Sequence, residues 1–178
     1  RLDDEIVAYD RVLEYVRPDD PEELRRLAAM ALFSMGVTFG QLEQREDQIA
    51  TYDRVLEYVR PDDPEETRLE AAKALFNQGV RLGLLERPKD AIVAYDRVLE
   101  YARPDDPEEL RRQAAMGLVN MGVSQGRLEL SEDAIVAYNR ALEYVRSDDP
   151  EELRRQAAMG LFNQGVTFGQ LERLEDAV

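Results

Sequence analysis

Between Asp4 and Val16 the apolar residues Ile6, Tyr9, Leu13 and Val16 fall three or four positions apart, which sets them on one face of a helix. Arg17-Pro18-Asp19 ends that helix, because proline disfavours helical dihedrals in the residue before it. Asp20-Pro21-Glu22-Glu23 then reads as a helix start. Asp20 is placed to accept hydrogen bonds from free backbone N–H groups, Pro21 stands where no N–H is needed, and Glu23 can close a capping box. Both glutamates suit the positive end of the helix dipole. From Pro21 to Leu42, one stripe carries Leu24, Ala28, Leu32, Met35, Phe39 and Leu42, and a second face carries Met30, Phe33, Val37 and Gln41. An apolar surface this wide suits a helix with neighbours on both sides.

The whole pattern returns every 43 residues. YDRVLEY begins at Tyr9, Tyr52 and Tyr95 and becomes YNRALEY at Tyr138, while DDPEE begins at Asp19, Asp62, Asp105 and Asp148. A fixed period of this size is the signature of a stack built from one supersecondary unit. The spacing predicts an all-α chain of short helices B (4–16, 46–59, 89–102, 132–145) alternating with long helices A (21–42, 64–85, 107–128, 150–171). Complete A–B pairs span 21–59, 64–102 and 107–145, with an unpaired B at 4–16 and an unpaired A at 150–171. The array fills 1–178 as a single domain.

Each A helix carries two glycines four apart, at Gly36/Gly40, Gly79/Gly83, Gly122/Gly126 and Gly165/Gly169. A mid-helix glycine costs roughly 1 kcal/mol relative to alanine, so close approach between helices is expected to offset it. The inner tyrosines Tyr9, Tyr52, Tyr95 and Tyr138 are expected to make the same packing contacts in every copy. Helix A is expected to end at Glu43, Glu86, Glu129 and Glu172, and Ser131 to cap the B helix that follows. Arg25, Arg26 and the acidic first turn argue against helix A as a membrane span, despite its length and its Gly36-x-x-x-Gly40.

Leu75-x-x-Gln78-Gly79-x-x-Leu82, Ala91-x-x-x-Tyr95 and Pro104 together resemble the helix–turn–helix signature of tetratricopeptide repeats. The small residue of the first helix matches at Gly36, Gly79, Gly122 and Gly165. That of the second matches at Ala91, Ala134 and Ala177, and the aromatic at the four inner tyrosines. The resemblance covers the whole chain. The repeat is nine residues longer than the family's usual 34, glutamate replaces glycine at the A–B turn, and Glu5 and Gln48 stand where alanine belongs. These departures resemble the longer, nearly self-identical bacterial tetratricopeptide-like arrays. The resemblance implies a right-handed α-solenoid of stacked antiparallel helix pairs. It also implies a non-catalytic scaffold whose A helices line a concave groove for a peptide or partner protein. Carried onto this chain, that groove is lined by Lys73, Phe76, Asn77, Val80, Asn120, Val123, Arg127, Phe162, Asn163 and Val166. Asn77, Asn120 and Asn163 form a ladder whose amides can pair with an extended backbone or with neighbouring helices. The basic carboxylate clamp of some family members is not matched, since Lys73 alone is basic there.

Composition narrows the chemistry. The chain has no Cys and no His, which removes disulfides, thiolate metal sites, Cys nucleophiles and His general bases. No phosphate-cradling loop appears, so an enzyme is not expected and neither is a cofactor. A net charge of −15 argues against nucleic acid and anionic membranes as partners. The DDPEE segments hold 16 of the 38 acidic residues. They lack the spaced oxygens and turn glycine of a calcium loop, so helix capping and Glu22–Arg26-type pairing are their expected work, and no metal is expected. A cysteine-free chain suits a reducing cytoplasm. Both ends lack the polar caps that solenoids usually need, and Arg173-Leu174 lines up with Arg1-Leu2. Head-to-tail self-assembly is therefore the alternative to the groove.

Overall fold

The structure, a computed structural model, describes residues 1–175. Ala177, matched above to the small residue of a second helix, lies outside the described residues. Among the described residues eight helices follow one another: α1 (Leu2–Leu13), α2 (Glu22–Gln41), α3 (Arg45–Val55), α4 (Glu65–Leu84), α5 (Pro88–Tyr101), α6 (Glu108–Arg127), α7 (Ser131–Leu142) and α8 (Glu151–Glu175). Among the described residues there is no strand, and no helix is long and apolar enough to cross a membrane. The A helices α2, α4 and α6 keep their expected lengths to within one residue at each end. Three B helices stop early, at Leu13, Val55 and Leu142, because their last turn tightens. Tyr15 N–H donates to the Val12 carbonyl and Tyr58 N–H to that of Val55, both three residues back at 3.1 Å.

The helix starts differ from the sequence reading. Pro21, Pro64 and Pro107 are the N-caps, with extended backbones (ψ 150°, 155° and 157°), and no side chain caps these helices. A proline N-cap has no N–H, so the Glu23 capping box cannot form. Asp20 turns back instead, accepting a hydrogen bond from Arg17 N–H at 2.8 Å. Ser131 is the first helical residue rather than a cap.

At the other end of each A helix, Glu43, Glu86 and Glu129 are left-handed, with φ of 59°, 57° and 61°. Arg87 N–H reaches the Leu82 carbonyl and Glu86 N–H that of Gly83. This is the Schellman closure, which normally uses glycine at the left-handed residue. The conformation costs an ordinary residue about 1–2 kcal/mol, partly offset by the entropy a glycine would lose on folding. Glu86→Gly is therefore expected to raise stability by about 0.5–1 kcal/mol, read as a higher melting temperature. An unchanged or lower one would show the turn to be unstrained. Glu172 does not turn: α8 runs straight through it to Glu175.

Every helix touches only helices one or two places away in the chain. Successive A helices pack side by side, α2 on α4, α4 on α6 and α6 on α8. The B helices stay apart and meet through long side chains, Arg97 with Asp53 and Arg140 with Asp96, each at 3.8 Å. The core repeats with the sequence. Ala28, Ala71 and Ala114 are sealed from solvent, as are Leu32, Leu75 and Leu118 and then Val55, Val98 and Ala141.

Inner tyrosines supply the close approach that the glycines predicted. A Cβ built on Gly36, Gly79 or Gly122 would lie 2.5, 2.5 or 2.4 Å from Cε1 of Tyr52, Tyr95 or Tyr138. The ring of the following B helix lies flat against the glycine, so the contact is side chain to backbone. A Cβ built on Gly165 would meet nothing within 4 Å among the described residues. Of the second glycines, a Cβ built on Gly40 would lie 2.5 Å from Gln48 Nε2, while one on Gly83, Gly126 or Gly169 would meet nothing within 4 Å. Tyr9, in α1, is only half-buried.

A buried ion pair joins each repeat to the next. Arg68 Nη1 and Nη2 donate to Asp106 Oδ2 and Oδ1 at 2.7 Å each. Nη1 also donates to the Tyr101 carbonyl at 2.6 Å, and Nε to that of Asp63 at 3.1 Å. Arg25 treats Asp63 and the Tyr58 carbonyl in the same way, as Arg111 treats Asp149 and the Tyr144 carbonyl. Each aspartate also accepts its own Arg60, Arg103 or Arg146 N–H. A guanidinium fork and a carboxylate match in such a geometry without further distortion. The second aspartate of DDPEE is thus the anchor of the repeat junction and not a helix cap.

Candidate functional site

Where neighbouring A helices meet, their ends leave shallow depressions. One, of about 310 Å³, lies between Val37 and Gln41 of α2 and Asn77 and Val80 of α4, with Tyr52 and Gln48 of α3 at its base. The next, of about 590 Å³, lies between Val80 of α4 and Asn120, Val123 and Arg127 of α6, over Tyr95. A third, of about 840 Å³, lies at the α6–α7 turn, between Gly126, Glu129, Leu130 and Ser131 on one side and Gln170 and Leu171 of α8 on the other, with an acidic rim of Glu129, Glu132 and Asp133.

The base of the first depression is polar and pre-set. Gln48 Oε1 accepts from Arg81 Nε at 2.6 Å, and Gln48 Nε2 donates to the Tyr52 hydroxyl at 3.3 Å. Burial pushes the Tyr52 hydroxyl up, against the opposing pull of Gln48, Asn77 and Arg81. Burial pushes Tyr95 up to about 12, against Asn120 and Arg127. Both hydroxyls therefore stay protonated at any physiological pH and remain donors. Asn77 and Asn120 each stand beside the tyrosine of the preceding B helix, half-exposed, at one repeat's spacing.

Not all of the residues expected to line a groove line these depressions. Asn77, Val80, Asn120, Val123 and Arg127 do line the depressions. Phe76 packs against Tyr95 instead, its ring tilted by 45° with centroids 6.1 Å apart, where Phe33 stacks on Tyr52 at 6.0 Å. Lys73 Nζ sits 4.5 Å over the Phe33 ring and 2.8 Å from Glu70, so its charge is already spent within the stack. Asn163 is half-exposed, and Val166 and Phe162 stand out into solvent, Phe162 at 72% exposure. Sequence reasoning missed Gln48 and Arg81 as a pair. The signal was present, since both break the repeat: Gln48 replaces the alanine of Ala91 and Ala134, and Arg81 replaces the hydroxyl of Thr38, Ser124 and Thr167.

The chain matches no protein-family model and no curated protein. Its functional reading rests on the geometry above.

Proposed function

We propose that the chain is a right-handed, tetratricopeptide-like α-solenoid that works as a non-catalytic interaction scaffold, holding an extended peptide in the groove between its A helices. The observation that carries this reading is the recurrence, at one repeat's spacing, of an asparagine beside a protonated tyrosine under a half-apolar depression. Close packing between successive A helices, with B helices held further apart, favours a superhelix with the A helices on its inner side. An amide and a hydroxyl per repeat suit a peptide backbone, which offers one donor and one acceptor per residue. The net charge of −15 favours a basic peptide and a binding rate that falls with added salt.

Selection from a random peptide display library tests this. Enriched peptides are expected to be basic, and their affinity to fall about tenfold or more in an Asn77→Ala, Asn120→Ala, Asn163→Ala variant that melts like the parent. No enrichment, or affinity unchanged in the triple variant, overturns the groove.

A further inference from the structure

We infer that the groove selects a carboxylate: Arg81, held by Gln48 at the base of the first depression, binds the side chain of an aspartate or glutamate in the docked peptide. This rests on the groove reading and deepens it, naming the chemistry by which one place along the peptide is chosen.

Gln48 and Arg81 belong to this depression and to no other copy of the repeat. Ala91 and Ala134 stand in the place of Gln48, and Thr38, Ser124 and Thr167 in that of Arg81. Gly40 makes the room for the glutamine, since a Cβ there would lie 2.5 Å from Gln48 Nε2. Gln48 is only 7% exposed, and a buried amide is costly unless it is hydrogen-bonded. Arg81 Nε satisfies its carbonyl end at 2.6 Å, and the Tyr52 hydroxyl satisfies its NH2 end at 3.3 Å. A single N–H of the guanidinium is enough for that purpose. Nη1 and Nη2 of Arg81 donate to nothing among the described residues, and no carboxylate among them lies within ion-pair distance.

A guanidinium fixed at Nε keeps its other two nitrogens as a planar fork, and that fork matches the two oxygens of a carboxylate. Inside the fold Arg25, Arg68 and Arg111 each hold an aspartate through the same two nitrogens. With 38 acidic residues against 23 basic ones, carboxylates are plentiful in this chain, yet none is brought to Arg81. Asn77 lines the same depression and adds an amide donor. The walls beside them are apolar: Val37, Val80 and Leu84. Leu84 is 70% exposed, and with Val80 it also lines the next depression. The two depressions are therefore continuous, so that a peptide runs past Arg81 and offers it a side chain. The field of the whole chain favours a basic peptide, while Arg81 acts only at contact distance. Both demands are met by a basic peptide with one acidic residue at a fixed place. That residue also sets the register, because sliding by one repeat would carry it away from the Gln48–Arg81 pair.

Selection from a random peptide display library, run in parallel on the full chain and on its Arg81→Ser variant, tests this. Arg81→Ser copies the residue at Ser124 and is expected to melt like the parent. Peptides enriched on the parent are expected to share an aspartate or glutamate at one place among basic residues, and those enriched on the variant to lack it. One parent-selected peptide is then made with acetylated and amidated ends, beside a copy whose acid is replaced by its amide. Fluorescence anisotropy is expected to show the acid preferred by about tenfold in the parent and not at all in Arg81→Ser. Gln48→Ala copies Ala91 and leaves the guanidinium present but unheld, so the preference is expected to shrink. Arg140→Gln removes an equal charge from a B helix outside the groove and is expected to leave the preference as it was. Enriched peptides with no shared acid, a preference that survives Arg81→Ser or Gln48→Ala, or one that Arg140→Gln lowers equally would overturn this inference and leave the groove standing. Binding that vanishes when the C-terminus is amidated would also overturn it, by assigning the carboxylate to the chain end. An absence of any enriched peptide would remove the groove itself, and this inference with it.

Discussion

Arg68→Ala is expected to lower the unfolding free energy by about 3–5 kcal/mol, because it strands a buried carboxylate that has lost its partner. Asp106 would keep only the Arg103 N–H, and the Tyr101 carbonyl would lose its donor as well. The loss is a large share of the about 5–15 kcal/mol that holds an ordinary domain together, so the urea midpoint should fall steeply. Asp106→Ala should cost a similar amount, and the double variant much less than the sum of the two, since the second change removes a charge the first had orphaned. Arg154→Ala is the internal control. It removes the same residue from the same place in the repeat but touches no aspartate, and dilute protein should lose no more than about 0.5 kcal/mol. Equal losses from Arg68→Ala and Arg154→Ala would show that helix propensity, and not the clamp, sets the effect.

The same clamps give the fold an acid limit. Hydrogen bonds from Arg111, against the cost of burial, hold the Asp149 carboxyl at about 2. Burial alone would raise Asp63 and Asp106, but Arg25 and Arg68 outweigh it and hold both below the usual carboxylate range. Stability from a depressed carboxyl is complete above its unfolded value, about 3.9, and drains away as pH falls toward the folded value. Stability is thus expected to fall between about pH 4 and pH 2, and to fall less in the Arg68→Ala, Asp106→Ala double variant.

Gly122→Leu is expected to destabilise by more than about 2 kcal/mol through overpacking. Even an alanine there places its Cβ 2.4 Å from the Tyr138 ring, and that ring is buried among its neighbours and cannot swing clear. Gly165→Ala should do the reverse. It meets no atom within 4 Å, so replacing a helical glycine should add about 0.5–1 kcal/mol. Thermal melts of the two variants would separate a packing role from a propensity cost. If both moved the same way, the tyrosine contact would not explain why glycine stands at this place in the repeat.

The fold was largely legible because its signals are local and repeated. Tyrosine spacing, DDPEE and the apolar stripe of helix A placed all eight helices. What escaped was whatever depends on residues far apart in sequence. Asp20 satisfied every local rule for a cap, yet its counterpart Asp63 answers to Arg25, 38 residues earlier. Repetition still held a clue: Arg25, Arg68, Arg111 and Arg154 keep one place in the repeat, while the next place holds Arg26, Leu69, Arg112 and Arg155. The glycines announced a close contact without naming a ring as its other side. Of the residues that the family resemblance carried over, Asn77, Asn120 and Val123 line the depressions, whereas Lys73 meets Glu70 and the Phe33 ring and Phe76 packs on Tyr95.

Since each junction is closed by the same arginine, aspartate and carbonyl, none of them records its position in the row. Excising one whole period would bring Arg25 against Asp106 in place of Asp63 and leave that contact chemically as it was. Length is therefore a free variable of this architecture. Duplication or loss of whole units can alter the reach of the molecule without requiring any compensating change in sequence.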